Sequence, residues 1–289
     1  MTAKKKLLVS FSGGQTSAYM TKWCLDNLSD KYEMVVVFAN TGKEREETLQ
    51  FVNECDKRFD FNTIWVEAVV NPEKGKGTSF KIVSFETASR NGEPFEEVIK
   101  KYGIPNSSFP HCTRELKTVP IHKYIKSIGW KKYYTAIGIR KDEIERIDKN
   151  YKKRRFVYPF IALNMHPTDK IDVNIFWLMQ DFRLNLKGYE GNCDLCWKKS
   201  DRKLLTLLLE NPNRAEWWDE MQKKYGKDKY YFYRKNRSIT ELIKQSQSPF
   251  KEARDDSKDT VKFIQEDLWD DLDLTYGCEE SCEPFAVNY

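Results

Sequence analysis

Short apolar runs alternate with amphipathic stretches through the first half of the chain. Residues 6–11, 34–39, 63–70 and 133–139 are four such runs, each of strand length and rich in Val, Ile and aromatic side chains. Between them, residues 17–28, 46–58 and 119–128 repeat apolar positions three and four apart, which predicts helices. Strand and helix alternating at this rhythm predict βαβ units, and hence an α/β fold with a parallel, doubly wound sheet. Ligands in such sheets bind beyond the carboxyl ends of the strands. Three loops end predicted strands: Ser12–Ser17, Asn40-Thr41-Gly42 and Gly138-Ile139-Arg140. They are expected to converge on one crevice.

The pattern then changes. Asn71–Gly77 reads as a loop, and the polar, Gly- and Pro-punctuated stretch to about Pro110 reads as an insertion with one helix near 93–102. From Asp169 onward the periodicity is helical, at 173–182, 199–211, 214–224 and 238–245, and residues 251–289 form an acidic, weakly patterned tail. The expected organisation is a nucleotide-binding domain over 1–180, followed over 181–289 by a helical region with a Cys-x-x-Cys and a Cys-containing tail.

Composition narrows the class. The chain has 289 residues, 32% of them charged, and no apolar run near the ~18–20 residues that span a bilayer, so a soluble protein with no membrane partner is expected. Its basic start lacks a small-residue cleavage site, which argues against a signal peptide. A net charge of +5 permits anionic ligands without demanding them. Seven cysteines, an odd number, predict a reducing, cytoplasmic setting in which clustered thiols serve metal or redox chemistry.

Ser12-Gly13-Gly14-Gln15-Thr16-Ser17 carries the sharpest chemistry. Glycines let the backbone approach a ligand, N–H groups at a helix start point at negative oxygens, and three hydroxyls add donors. The loop is neither the Gly-Lys-Ser/Thr type nor Gly-x-Gly-x-x-Gly. It resembles the Ser-Gly-Gly-x-Asp-Ser loop of the PP-loop ATP pyrophosphatases and the phosphoadenylyl-sulfate (PAPS) reductase family, with Thr16 where Asp is usual. Phe38–Glu44 with Glu47-Thr48-Leu49 is similar to the family's strand and Asp/Asn-Thr-Gly-x-Glu segment. Cys112–Pro120 is similar to Cys-Cys/Thr-x-x-x-Lys-x-x-Pro, and Gly138–Arg146 to Gly-x-Arg-x-x-Glu-x-x-Arg. Tyr158-Pro159-Phe160, Asp172-Val173 and Phe176-Trp177 resemble the closing block. The order is the family's, over about residues 6–180.

The resemblance implies an adenine nucleotide alpha hydrolase-like fold that binds ATP, with Mg²⁺, or a sulfonucleotide. Ser12, Gly13, Gly14, Gln15, Thr16, Ser17, Asn40, Thr41, Gly42, Glu44, Gly138, Arg140 and Arg146 are the expected nucleotide-binding residues. Arg140 and Arg146 supply guanidinium forks for anionic oxygens, unless Asp142, Glu143 or Glu145 neutralise them. Lys117 adds a point charge, and with Arg140 is the expected catalytic pair. Glu44 suits a ribose hydroxyl or Mg²⁺, or else solvated surface.

Cys193 and Cys196 stand one turn apart, a spacing that lets both thiolates reach one metal or cluster. In the adenylyl-sulfate branch of the reductases an upstream Cys-Cys pair joins a Cys-x-x-Cys around a [4Fe–4S] cluster. The resemblance implies that role for Cys112, Cys193 and Cys196, although Thr113 replaces the second Cys. Cys282 is the expected fourth ligand; Cys278, His111, an open iron and a zinc site are the alternatives. Cys24 and Cys55 fall on predicted helices and read as packed small hydrophobes.

Two activities follow. The paired glycines suit cleavage of ATP at the α-phosphate. A Cys-containing tail resembles the reductases' Glu-Cys-Gly-x-His, although here the His is missing and Gly277 precedes Cys278. The alternative is a nucleic-acid-modifying sulfurtransferase of the tRNA-thiolation or DNA-phosphorothioation type, for which Tyr151–Arg155 and Tyr230–Arg237 interleave aromatics with cations. A degenerate nucleotide-binding module and a homo-oligomer are left open.

Overall fold

The computed structural model describes residues 4–226, 231–261 and 284–285. Its centre is a six-stranded sheet of β1 (Lys5–Ser10), β2 (Tyr32–Asn40), β3 (Ile64–Val70), β4 (Thr78–Val83), β5 (Tyr134–Ala136) and β6 (Phe156–Val157), in the order β4-β3-β2-β1-β5-β6. All neighbours are parallel except β3 and β4, which run antiparallel. The expected doubly wound α/β sheet is present, with one correction: residues 78–83 are an edge strand within what the sequence presents as a loop-like insertion. The residues of β4 are largely exposed, so it has no apolar run to betray it.

β1 is covered on both faces, and its side chains alternate between two cores. Leu7 and Val9 pack with Met20, Phe38, Val52 and Trp177, under α1 (Gln15–Leu28), α2 (Glu46–Phe59) and a helix at Lys170–Leu178. Leu8 faces the other way, with Val37, Val66, Ile121, Ile125 and Phe285. Both sets are almost wholly excluded from water, which is why these strands read as continuous apolar runs. A third core joins α3 (Glu93–Tyr102) to the helices Asp201–Glu210, Glu216–Tyr225 and Ile239–Ser246 through Leu195, Trp218 and Phe232.

Strand order fixes where a ligand can sit. The chain leaves β1 toward β2 on one side, and β5 lies on the other, so the switch in direction falls between β1 and β5. The crevice beyond their carboxyl ends is the expected binding position in this architecture. Both the glycine loop and Gly138–Arg140 open there. The strand expected over 133–139 ends early, because Ile139 N–H turns back to the Ile137 carbonyl at 3.0 Å.

Candidate functional site

The glycine loop is held rigidly from behind. Gly13 has φ +85°, and a Cβ there would sit 2.7 Å from Thr48 Cγ2 and 3.0 Å from Phe38 Cε2, so a side chain is excluded both by conformation and by space. Ser17 Oγ donates to the Gly14 carbonyl at 3.0 Å and accepts from Ser12 N–H at 3.2 Å and Ser12 Oγ at 2.8 Å. No side chain caps α1 and no acid stands in its first turn, so the positive end of the helix dipole faces the crevice unopposed by a local carboxylate.

Gly138 closes the gap between the two loops. A Cβ there would lie 3.1 Å from Ser17 Cα, so the backbone after β5 lies almost against α1. Arg140 follows, 2% exposed, with Nη1 donating to Thr16 Oγ1 at 3.3 Å. Its guanidinium also meets Asp142 at 3.1 Å and Glu143 at 3.6 Å, and Arg146 pairs with Glu143. Two of the carboxylates that the sequence offers as alternative partners, Asp142 and Glu143, are thus engaged, and Arg140 stands at the glycine loop while so engaged.

Asn40, Thr41 and Gly42 form the third wall. Asn40 Nδ2 donates to Glu67 Oε1 at 2.6 Å, and its Oδ1 accepts from Gly42 N–H at 3.2 Å. Glu67 is fully buried and also receives Ser89 N–H and Oγ and, at 2.9 Å, Lys81 Nζ. A carboxylate supplied with this many donors is a rigid mount for the Asn40 turn. Sequence reading missed Glu67, because on a strand it looks like any polar interruption.

Glu44 and Lys117 form a buried ion pair at 3.0 Å, and Thr41 Oγ1 donates to the same Glu44 oxygen at 3.3 Å. The other oxygen, Oε2, is buried with no partner. Lys117 reaches Glu44 Oε1 from a π-helical stretch, Arg114–Thr118, set between His111–Thr113 and the helix Val119–Ser127. One widened turn of this kind re-aims a side chain, and such turns concentrate at functional positions.

Cys112, Cys193 and Cys196 line one small pocket with Thr41, Lys117 and Lys198; Phe95, Leu116, Trp197 and Trp218 give it apolar walls. The Cys-x-x-Cys is mounted on the glycine-loop side of the molecule. Arg45 N–H meets the Asn192 carbonyl at 2.7 Å and Asp194 N–H the Lys43 carbonyl at 3.1 Å, around a Glu44–Cys193 bridge. Asn192 Nδ2 then donates to the Ser12 carbonyl at 2.8 Å. Lys199 Nζ holds the Cys193 carbonyl at 2.9 Å, and Lys198 Nζ holds Thr113 Oγ1 at 2.9 Å. Hydrogen bonding to Cys196, then burial, push the Cys193 thiol well up.

Among the described residues, no three His, Cys, Asp or Glu side chains converge closely enough for a single metal ion. Cys278 and Cys282 lie outside the described residues. Cys24 and Cys55 are fully buried in the core of α1 and α2.

Tyr230–Arg237 is corrected as a nucleic-acid element. Phe232 and Tyr233 are buried in the third core, and Arg237 pairs with Asp201 at 2.5 Å, so these aromatics are unavailable to stack on bases. Tyr230 lies outside the described residues.

A family model for the phosphoadenosine phosphosulfate reductase domain matches residues 6–158, the stretch that contains the sheet and all three crevice loops. The chain belongs to this family. Membership in the phosphoadenosine phosphosulfate reductase family carries, at family level, a nucleotide-binding function. The chain is 34% identical over 202 residues to the uncharacterized nin region protein ORF290 of Escherichia phage lambda, covering 68% of this chain and 67% of that protein. Two uncharacterized proteins of Methanocaldococcus jannaschii, MJ0066 and MJ0973, are 26% and 25% identical over 77% and 76% of this chain. The chain spans less than half of their lengths, 42% and 48%. Among the described residues no helix is long and apolar enough to cross a membrane.

Proposed function

We propose that this PAPS reductase-family chain binds ATP in the crevice between β1 and β5 and cleaves it between the α- and β-phosphates, releasing pyrophosphate. The observation that carries this reading is the contact of Arg140 Nη1 with Thr16 Oγ1 at 3.3 Å, which sets a buried guanidinium beside a helix N-terminus and an undegraded Gly-Gly turn. The first turn of α1 and the hydroxyls of Ser12, Thr16 and Ser17 would hold the β- and γ-phosphates. Arg140, exchanging Asp142 for a phosphate oxygen, would stabilise charge that develops as the bond breaks, and Arg146 would follow. Glu44 Oε2, an acceptor without a donor, would take a ribose hydroxyl. Lys117, paired with Glu44, lines the same pocket as the thiols.

Cys112, Cys193 and Cys196 would hold an iron–sulfur cluster, with the lysines balancing its negative charge. Such a cluster, when bound, supplies an electron or a sulfide-binding iron. Apolar walls around the thiols restrict water there. Turnover of ATP labelled at the α-phosphate tests the reading: labelled AMP with pyrophosphate supports it, and labelled ADP with phosphate contradicts it. Reduction of a sulfonucleotide is the competing reaction of the same site, read by release of sulfite.

A further inference from the structure

We propose that the amino-terminal edge of the sheet, together with the β5–β6 crossover, is a binding surface for a nucleic-acid phosphate backbone. This goes beyond the ATP-cleaving reading and does not depend on it. Lys5, Lys131, Lys132 and Arg155 stand at the leading ends of β1, β5 and β6. Parallel pairing of Leu7 with Tyr134 and of Thr135 with Phe156 sets these ends side by side. Lys152 and Lys153 stand beside them on a one-turn helix, Tyr151–Arg154, in the crossover. All six side chains are exposed.

What separates this face from an ordinary charged surface is its lack of counter-charge. Among the described residues no carboxylate lies within ion-pair distance of any of the six. Arg154, in the same turn, instead pairs with buried Asp148 and so fixes the crossover from inside. Six cations on one face, with no carboxylate partner among the described residues, attract a polyanion, whose bound counterions are released on contact.

Aromatic rings are interleaved with the charges. Arg155 lies over the Tyr134 ring at 5.7 Å and Lys152 over Tyr151 at 5.8 Å, and Tyr151 is 37% exposed. Rings beside cations offer bases a stacking surface while the cations take phosphates. The net charge of +5 conceals this face, because the acid-rich sequence at 262–283 offsets it in the total.

The test is fluorescence anisotropy of the full chain, without ATP, against labelled single strands and duplexes of DNA and RNA. The comparison variant is Lys131→Ala/Lys132→Ala/Lys152→Ala/Lys153→Ala, checked for an unchanged melting curve. The wild type is expected to bind with affinity that falls steeply between about 50 and 200 mM salt, and the variant to bind at least about tenfold more weakly, with a log–log salt slope shallower by roughly 3–4. Lys74→Ala/Lys76→Ala, in the exposed 71–77 loop, is expected to keep wild-type affinity. No binding at low salt, unchanged binding by the fourfold variant, or equal loss in the loop control overturns the proposal. So does retention on anionic lipid vesicles without binding to any nucleic acid. Failure of ATP cleavage leaves this result untouched, because the assay contains no nucleotide.

Discussion

Asn192 Nδ2 reaches the Ser12 carbonyl at 2.8 Å, so the residue just before the first thiol of the Cys-x-x-Cys holds the first residue of the glycine loop. The same side chain receives Thr48 Oγ1 at 3.4 Å. The thiol loop and the glycine loop are therefore tied to each other directly.

Asn192→Ala removes this hydrogen bond to the Ser12 carbonyl, which costs about 0.5–1.5 kcal/mol. The melting temperature is expected to fall by about 2–4 °C for each kcal/mol lost. ATP affinity is expected to fall with it, although Asn192 lines no phosphate contact itself. Thermal denaturation and calorimetry check both, and unchanged values in the two measurements would mean that the loops are independent.

Gly13→Ala meets two obstacles, a left-handed φ of +85° and a Cβ 2.7 Å from Thr48 Cγ2. The left-handed conformation alone costs about 1–2 kcal/mol for a residue with a Cβ. Adding Thr48→Ser removes the clashing methyl and keeps the hydroxyl, so the double variant is expected to recover part of the lost stability and not the whole. Full recovery would show that conformation contributes nothing; no recovery would show that Thr48 is not the obstacle.

Burial pushes the Cys24 thiol up to about 12 and the Cys55 thiol well above its usual range. Below those values each stays protonated, and the thiolate is the reactive form. At about pH 8.5, near the ordinary thiol value, iodoacetamide is expected to spare both in the folded protein and to alkylate both after unfolding. Peptide mass spectrometry reads the result, and native labelling of Cys24 would contradict its packing.

Anaerobic reconstitution with iron and sulfide is expected to give a coloured, iron-loaded protein, and Cys193→Ser a colourless one with an unchanged melting curve of the metal-free chain. Equal iron in both would remove Cys193 from the ligand set. Stoichiometric zinc with no capacity for iron would remove the cluster.

Much of this was legible in the chain. β1, β2 and β3 announce themselves because burial on both faces makes their central residues mostly apolar, and the loops at their ends follow from that. β4 did not, because an edge strand with an exposed face needs no apolar run. Glu67 and Asn192 escaped notice for a different reason: each acts through a partner distant in sequence, Asn40 or Ser12, and neither carries a local motif. Phe232 and Tyr233 misled, because aromatics among cations look the same whether they face a base or a core. The Lys152–Arg155 run and Lys131–Lys132 could be read as basic, but only strand register brings them to one face.

The central claim is that Arg140 and the glycine loop grip the same phosphates. Calorimetric titration of the wild type and Arg140→Ala with an ATP analogue blocked between the α- and β-phosphates tests it most directly. Loss of a charge-assisted contact of about 1.5–3 kcal/mol predicts affinity weaker by at least about tenfold in the variant. Equal affinities in two folded proteins would contradict it.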